Sequence, residues 1–391
     1  MTRKLLLTML FSGIASASVL AADYQLIPLG DEPTGDFRSR GFGINNNGDV
    51  VGLGNRDTAQ SQIGTRWLWD GSNYTIDVLD GLEGIESSRA QDINDSGQIA
   101  GFWVDGQAQA FAWDAGGGLN SFLNGPDVPF SRVRRITNSG KVLGWLEEDG
   151  SIFSYQGYIY DLGTSTLTKY GTLGGDVSIV HAMNASGLVV GSASSIPNDG
   201  GIRQAVTWSG DPSTPTPLGG LGAFAGYEET RATRITDSGI ILGSAGNRDL
   251  DNVLFAQNEV WMWDPNTQTA TSTGFLDGYE WIKMGGANDD ASVLVGHAYR
   301  EGENGNAFIN EHVGVIWTEG TGWVDINTML APEWADYTVL QLNGMNENGW
   351  LVGDALNPDG DVEAVVLVPT PSSLALVGFG TLLMARRRRR S

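Results

Sequence analysis

The sequence contains no cysteine, only three histidines and little that favours long helices. The absence of cysteine excludes disulfides, thiol nucleophiles and thiolate metal sites. The 55 glycines disfavour long helices, because each glycine in a helix costs about 1 kcal/mol relative to alanine. Hydrophobic residues make up 41% of the chain, which is enough for a substantial core. Without disulfides, an exported chain of this kind must be stabilised by packing and backbone pairing.

Catalytic motifs are also absent. The chain has no nucleophile elbow, HExxH motif, P-loop or dinucleotide fingerprint. His181, His297 and His312 lie at no metal-ligand spacing, which favours satisfied or solvated imidazoles. Acidic residues are numerous enough for a carboxylate pair that cleaves glycosides, but no pair stands out. We therefore expect no catalytic residue, metal ligand or cofactor.

One acidic segment is a candidate calcium loop. Asp354–Glu363 contains Asn357, Asp359, Gly360 and Asp361, and calcium binds several oxygen ligands from one loop. Its glycine is misplaced for a standard EF-hand, which favours an ordinary acidic turn.

Positive charge is scarce, with 23 lysines and arginines against 46 acidic residues and a net charge of −23. Seven of the basic residues lie at the two ends of the chain. The part in between therefore has 16 basic and 46 acidic residues, a net charge of about −30. Nucleic acids and anionic membranes require a basic surface, and both are excluded as partners. The composition suits a soluble extracellular protein.

Both ends of the chain have the features of export and sorting signals. Residues 1–22 combine Arg3-Lys4, an apolar stretch from Leu5 to Ile14 and small residues to Ala22, as a secretory signal peptide does. At the other end, residues 369–391 contain prolines, the apolar segment Leu374–Ala385 and an arginine cluster. Its 12 apolar residues are fewer than the roughly 20 that a membrane-spanning helix needs. A poor membrane anchor and a processed sorting signal are the two interpretations.

The second interpretation is favoured because the C-terminal segment resembles PEP-CTERM sorting signals. The resemblance rests on a V-P-x-P motif, a short hydrophobic helix and the arginine cluster, with Thr370 where the family has glutamate. The residues concerned are Val368, Pro369, Pro371, Arg386, Arg387, Arg388, Arg389 and Arg390. The resemblance implies an exosortase-type partner, transient membrane insertion of this segment, and a cell-surface or extracellular location in a Gram-negative-type envelope.

Between the two signals, residues 23–368 repeat one unit seven times at a spacing of about 50 residues. Each unit has an apolar strand, a polar turn and a second apolar strand that ends in glycine. The copies begin at Ile44, Ile93, Ile136, Met183, Ile235, Ala287 and Met345. Asparagine and glycine are the residues that tight turns require, so the repeated N-x-x-G is interpreted as a folding signal.

The pattern predicts a seven-bladed β-propeller of four-stranded antiparallel blades. In the second unit, strands are predicted at Ser88–Ile93, Gln98–Trp103, Ala108–Asp114 and Leu119–Leu123, with period-2 alternation and turns between them. The seventh unit lacks its fourth strand, whereas Tyr24–Leu29 matches the fourth-strand pattern. We therefore expect the N-terminal strand to complete the last blade, since closing the ring removes exposed edges.

The repeats also resemble the HAF family of extracellular repeats. Its core reads I-N-x-x-G-x-V-V-G and is followed by an apolar strand that ends in tryptophan. Its asparagine is matched by Asn45, Asn94, Asn184, Asn288 and Asn346, whereas Thr137 and Thr236 depart from it. The H-A-F triplet itself is retained only in part, at Ala110-Phe111 and Ala307-Phe308. The resemblance implies a surface or secreted protein, and the family brings no established biochemical activity with it.

One repeat position is mostly basic. The residues five positions before the turn asparagine or threonine are Arg40, Arg89, Arg132, Ile179, Arg231, Lys283 and Gln341. In a propeller such equivalent positions form a ring on the inner strands. Two interpretations stay open: the basic residues pair with acids such as Glu86, Glu228 and Glu280, or they form a girdle that binds an anionic ligand such as acidic polysaccharide.

Two functions follow from these observations. The leading hypothesis is a non-enzymatic surface or matrix protein, a scaffold or binding module for extracellular polysaccharide. The alternative is a secreted glycan-active hydrolase or lyase with carboxylates on the propeller face.

Overall fold

The computed structural model describes residues 24–30, 38–55, 62–82, 85–114, 116, 118–120, 122–123, 128–147, 154–197, 202–247, 258–300 and 312–370. The predicted signal peptide lies outside these residues, as does the sorting signal from Pro371 onward. In the described ranges no helix is long and apolar enough to span a membrane. The helical elements there are short 3-10 turns at Gly222–Phe224, Ile326–Met329 and Pro332–Trp334.

The described residues form seven four-stranded antiparallel sheets, which confirms the predicted seven-bladed propeller. Blade 1 contains β2 (Arg40–Ile44), β3 (Val50–Asn55), β4 (Gln62–Trp69) and β5 (Tyr74–Val78). Blade 2 contains β6 (Ser87–Ile93), β7 (Ile99–Asp105), β8 (Gln107–Asp114) and β9 (Gly118–Asn120). Blade 3 contains β10 (Phe130–Ile136), β11 (Lys141–Glu147), β12 (Gln156–Asp161) and β13 (Thr166–Tyr170). Blade 4 contains β14 (Ser178–Met183), β15 (Val189–Ser194), β16 (Arg203–Trp208) and β17 (Thr216–Pro217).

The remaining blades follow the same order. Blade 5 contains β18 (Glu229–Ile235), β19 (Ile241–Gly246), β20 (Asn258–Asp264) and β21 (Thr269–Ser272). Blade 6 contains β22 (Trp281–Ala287), β23 (Val293–Tyr299), β24 (His312–Thr318) and β25 (Gly322–Asp325). Blade 7 contains β26 (Thr338–Met345), β27 (Leu351–Leu356), β28 (Val362–Pro369) and, as its fourth strand, β1 (Tyr24–Pro28).

The N-terminal strand closes the ring as predicted. β1 pairs antiparallel with β28, from Tyr24 opposite Pro369 to Pro28 opposite Val365. Val368 and Pro369, the first half of the predicted V-P-x-P motif, are therefore part of the last blade. Between blades 7 and 1 a buried cluster contains Trp67, which has no exposed surface.

The glycine that ends each repeat is required by a close backbone contact. In the first strand of every blade the register shifts three positions before the turn residue, which is the mark of a β-bulge. A Cβ on the facing glycine would lie 1.8–2.2 Å from the carbonyl oxygen of the basic-position residue. The seven glycines are Gly52, Gly101, Gly144, Gly191, Gly243, Gly296 and Gly353. The glycine thus permits the bulge.

The turn asparagine joins neighbouring blades. Its Oδ1 accepts backbone N–H groups of its own turn, as Asn346 does from Asn348 and Trp350 (both 3.0 Å). Its Nδ2 donates to the carbonyl of the equivalent residue in the next blade, from Asn45 to Asn94 (3.1 Å), Asn94 to Thr137 (3.0 Å), Asn184 to Thr236 (3.3 Å) and Asn346 to Asn45 (2.9 Å). Threonine at this position keeps only the hydrogen bond within its own turn, since Oγ1 of Thr137 accepts from Lys141 N (3.0 Å).

We predict that Gly52→Ala unfolds or strongly destabilises the protein. Its Cβ would lie 1.8 Å from the Arg40 carbonyl oxygen, so the bulge would have to move. Gly54→Ala on the same strand is the control, because its nearest atom is Thr65 Oγ1 at 3.3 Å. Thermal denaturation should show a loss above about 3 kcal/mol for the first variant and a small change for the second. Equal losses would contradict the role of the bulge.

Asn346→Thr should cost about 1–3 kcal/mol, because threonine retains the acceptor for its own turn but leaves the buried Asn45 carbonyl without its inter-blade donor. The matched control is Asn288→Thr. Asn288 Nδ2 donates within its own turn, to Ser292 Oγ (3.0 Å). Chemical denaturation of both variants measures the difference, and an equal effect would show that the inter-blade bond contributes nothing.

Candidate functional site

All seven first strands line one central cavity of about 450 Å³. We call the positions five residues before the turn residue the mouth ring, and the positions three residues before it the bulge ring. The bulge ring consists of Phe42, Gln91, Arg134, His181, Thr233, Gly285 and Asn343, and all of them line the cavity. A bulge redirects a side chain that regular pairing would place elsewhere. The repeated bulge therefore supplies a second layer of side chains to the channel.

The cavity is strongly cationic although the protein is acidic. Seven of its lining residues are basic, namely Arg40, Arg89, Arg134, Arg135, Arg231, Arg234 and Lys283, and Asp92 is the one acidic lining residue among those described. These seven are a large part of the 16 basic residues between the two terminal signals. The basic charge of the chain is thus concentrated where water access is limited and fields are strong.

Two mouth-ring arginines are paired with carboxylates. Arg40 Nε donates to Oδ2 of the buried Asp354 (2.8 Å) and its Nη2 to Gln341 Oε1 (2.9 Å). Arg231 Nε donates to Glu229 Oε2 (3.0 Å). These carboxylates, Asp354 and Glu229, are not the acids that the sequence suggested, which were Glu86, Glu228 and Glu280. The pairing hypothesis therefore holds for two positions, with other partners.

Arg89 and Arg132 pack on aromatic rings instead. The Arg132 guanidinium lies 4.9 Å from the Phe102 ring and 5.2 Å from the Phe130 ring, and Arg89 lies 5.9 Å from Phe102 and from Phe42. Neither has a carboxylate partner among the described residues, and the buried Nε of Arg132 makes no hydrogen bond there. Burial, with Arg40 and Arg132 nearby, lowers the pKa of Arg89. Four of the five basic ring residues predicted from the sequence line the cavity, and Arg132 is not among the lining residues.

Three arginines deeper in the channel were not predicted. Arg134, Arg135 and Arg234 lie two or three positions before their turn residues, outside the repeat position that the sequence singled out. Enclosure in the channel and the surrounding arginines lower the pKa of Arg134, although this residue keeps access to the channel solvent, and burial lowers the pKa of Arg135. Asp92 opposes this charge. Its Oδ2 accepts from Ile136 N (3.0 Å), and its pKa is raised by burial but held down by Arg135 and Arg234.

A second cavity of about 650 Å³ lies on the turn side of the channel. It is lined by turn residues such as Asn138, Ser186 and Asp237. Asp92, Arg135 and Arg234 line both cavities. This trio therefore marks the boundary between the two halves of the channel.

The remaining sequence candidates form no metal site in the described residues, where no three acidic or histidine side chains converge. The rings of His297 and His312 stack at 5.6 Å, and burial keeps the pKa of His297 well below its usual value. His181 is buried in the bulge ring, and burial with Arg134 nearby keeps its pKa low too. In the candidate calcium loop, Asn357 Oδ1 accepts from Asp359 N (3.0 Å) and Asp361 N (2.9 Å), as in an ordinary turn.

Comparisons with known proteins give one family match and several structural neighbours. Residues 14–208 match a family described as a protein of unknown function, DUF3466. None of the curated proteins matches the sequence. An ancestral GH74 enzyme has a similar fold, with a TM-score of 0.50 and 12% identity over 86% of this chain and 48% of that one. YCF48 bound to a D1 peptide gives a TM-score of 0.48 at 10% sequence identity, over 91% of this chain and 100% of that chain. Porphyromonas gingivalis dipeptidyl peptidase 4 gives a TM-score of 0.43 at 11% sequence identity, over 86% of this chain and 53% of that chain.

The charge balance of the cavity leads to a pair of opposite predictions. Arg134→Gln removes one of several like charges and should stabilise the ligand-free protein, whereas Asp92→Asn removes the opposing charge and should destabilise it. Each change should be about 1 kcal/mol at low ionic strength and smaller at high ionic strength. Thermal unfolding in a buffer without phosphate or sulfate measures both. A destabilised Arg134→Gln variant would mean that the guanidinium is mainly a packing residue.

Proposed function

We propose that the protein is a non-enzymatic surface or matrix protein whose channel binds an acidic extracellular polysaccharide through the mouth ring. The observation that carries the proposal is the concentration of basic side chains in the cavity of an otherwise acidic propeller. Guanidinium groups form charge-assisted, often bidentate hydrogen bonds with carboxylate and sulfate groups. Long-range repulsion from the acidic exterior limits binding to ligands that reach the channel.

Arg89 and Arg132 are the residues that support binding most directly. Their guanidinium planes are held by aromatic rings, and neither is neutralised by a carboxylate in the described ranges. A side chain fixed in this way loses little entropy when a ligand binds, which favours affinity. Arg40 and Arg231, by contrast, are partly neutralised by Asp354 and Glu229.

The alternative function, a hydrolase or lyase that acts on glycans, receives less support from the cationic cavity. Glycosidases require two carboxyl groups about 5–10 Å apart around the scissile bond. Among the described lining residues of the cationic cavity, Asp92 is the one carboxylate, and it is held by the Ile136 backbone.

We also propose that residues 1–22 direct export and that the C-terminal segment is processed by an exosortase-type enzyme. The proposal rests on the resemblance of Pro371, the apolar segment and Arg386 to Arg390 to sorting signals. Because β28 extends to Pro369, we expect processing to occur after this residue, where the blade remains intact.

Replacement of Arg89 and Arg132 by alanine tests the binding function. The double variant should lose tenfold or more, as an order of magnitude, of its affinity for a polyuronate and a sulfated polysaccharide. Lys169→Ala removes a positive charge from the exposed face of β13 and is the matched control. Affinity electrophoresis, with a neutral glucan for comparison, measures the effect.

Reduced stability with unchanged polysaccharide binding would refute the mouth ring as a binding site. Incubation of the wild-type protein with the same polymers is the second arm. The appearance of new reducing ends or unsaturated products would refute the non-enzymatic assignment and support the alternative function.

A further inference from the structure

The deep part of the channel is asymmetric in charge. Arg134, Arg135 and Arg234 come from blades 3 and 5, and His181 comes from blade 4 between them. At the bulge ring of blades 1, 6 and 7, the channel is lined by Phe42, Gly285 and Asn343, which carry no charge. At the depth of the bulge ring, one wall of the channel is therefore cationic and the opposite wall is neutral. The mouth ring, in contrast, has basic residues in five of the seven blades.

The deep arginines have hydrogen-bond donors to spare. The Arg134 guanidinium lies over the Trp145 ring at 4.6 Å, which occupies its face, and it makes no hydrogen bond to the described residues. Arg234 Nη2 donates to the Gly285 carbonyl, and the described residues provide no other acceptor for this guanidinium. Guanidinium groups carry five in-plane N–H donors, so several remain available to a ligand.

We infer that Arg134, Arg135 and Arg234 form a second site, selective for a compact oxyanion with at least two negative charges. Three guanidiniums face one carboxylate there, so a single negative charge leaves the site unbalanced. Phosphate and sulfate have tetrahedral oxygens that several guanidinium groups bind at once. Access only through the channel reduces screening by salt, which strengthens each of these contacts.

The shape of the cavity indicates how such an anion is presented. A volume of about 450 Å³ exceeds that of one phosphate or sulfate ion, and the neutral wall offers the apolar ring of Phe42 and the amide oxygen of Asn343, whose Nδ2 donates to the Gly41 carbonyl. These are contacts that a sugar ring makes with proteins. The inferred ligand is therefore a saccharide with a phosphate monoester, whose charged group carries close to two negative charges and lies against the deep arginines. This step depends on the proposed function, in which the channel binds an acidic glycan.

Calorimetric titration of the full chain with inorganic phosphate and with sulfate tests the deep site. Acetate and chloride at the same ionic strength serve as monovalent comparators. Arg134→Gln should weaken phosphate or sulfate binding about tenfold to a hundredfold, the loss of one or two charge-assisted hydrogen bonds. Arg134→Lys should retain more of the affinity because it keeps the charge. Lys169→Ala should bind as the wild type does.

Inorganic phosphate and sulfate are both dianionic tetrahedral ions, and tighter binding of either of them than of acetate supports the site. Binding no tighter than that of acetate would overturn the inference. So would equal affinities of the Arg134→Gln and Lys169→Ala variants, with folding of each verified by circular dichroism. The Arg89 and Arg132 variant separates the two proposals. If this variant no longer binds polysaccharide but still binds the small oxyanion, both sites are supported. If the wild-type protein binds the oxyanion but no polysaccharide, the mouth-ring function alone is refuted.

Discussion

The architecture depends on one tight contact, repeated in every blade, between a glycine and a carbonyl of the innermost strand. The seven glycines have no room for a Cβ, and their carbonyl partners belong to the mouth-ring residues themselves. This contact sets the bulge, and the bulge brings a second layer of side chains into the channel. A substitution at the glycine would therefore disturb both the blade and the ligand-facing side chains. Folding and binding are coupled at the same backbone position.

The channel concentrates like charges that oppose folding. Burial and neighbouring arginines lower the pKa values of Arg89 and Arg134, which means that their charged forms are less stable than in water. The blades offset this cost through backbone pairing and the buried clusters between sheets. Charge that is concentrated in a channel without full compensation is typical of sites that a ligand completes. Arg40 and Arg231 show the other solution, a carboxylate partner within the protein.

The repeat count, the blade topology and the closing strand could all be predicted from sequence, because turn residues and period-2 strands recur at a fixed spacing. The mouth ring was predicted for the same reason. Arg135 and Arg234 were not predicted to face the channel. Strict alternation places their repeat position on the opposite face of the strand from the mouth ring, and a bulge leaves no clear signal in the sequence. Arg134 shares the predicted face, but a single basic residue among seven repeats makes no pattern. The partner of Arg40, Asp354, lies 314 positions away, so only closure of the ring brings them together.

The pairing of β1 with β28 has a consequence for how the chain acquires its fold. β1 is the first strand of the propeller to be made, yet its partner ends at Pro369, near the end of the described chain. A chain that emerges from its N-terminus at about 5–20 residues per second leaves β1 without its partner for roughly tens of seconds. During that interval the strand exposes a free edge that could pair with another chain. Completion of the ring is therefore the most non-local pairing of the fold, because it joins the first strand of the propeller to the last.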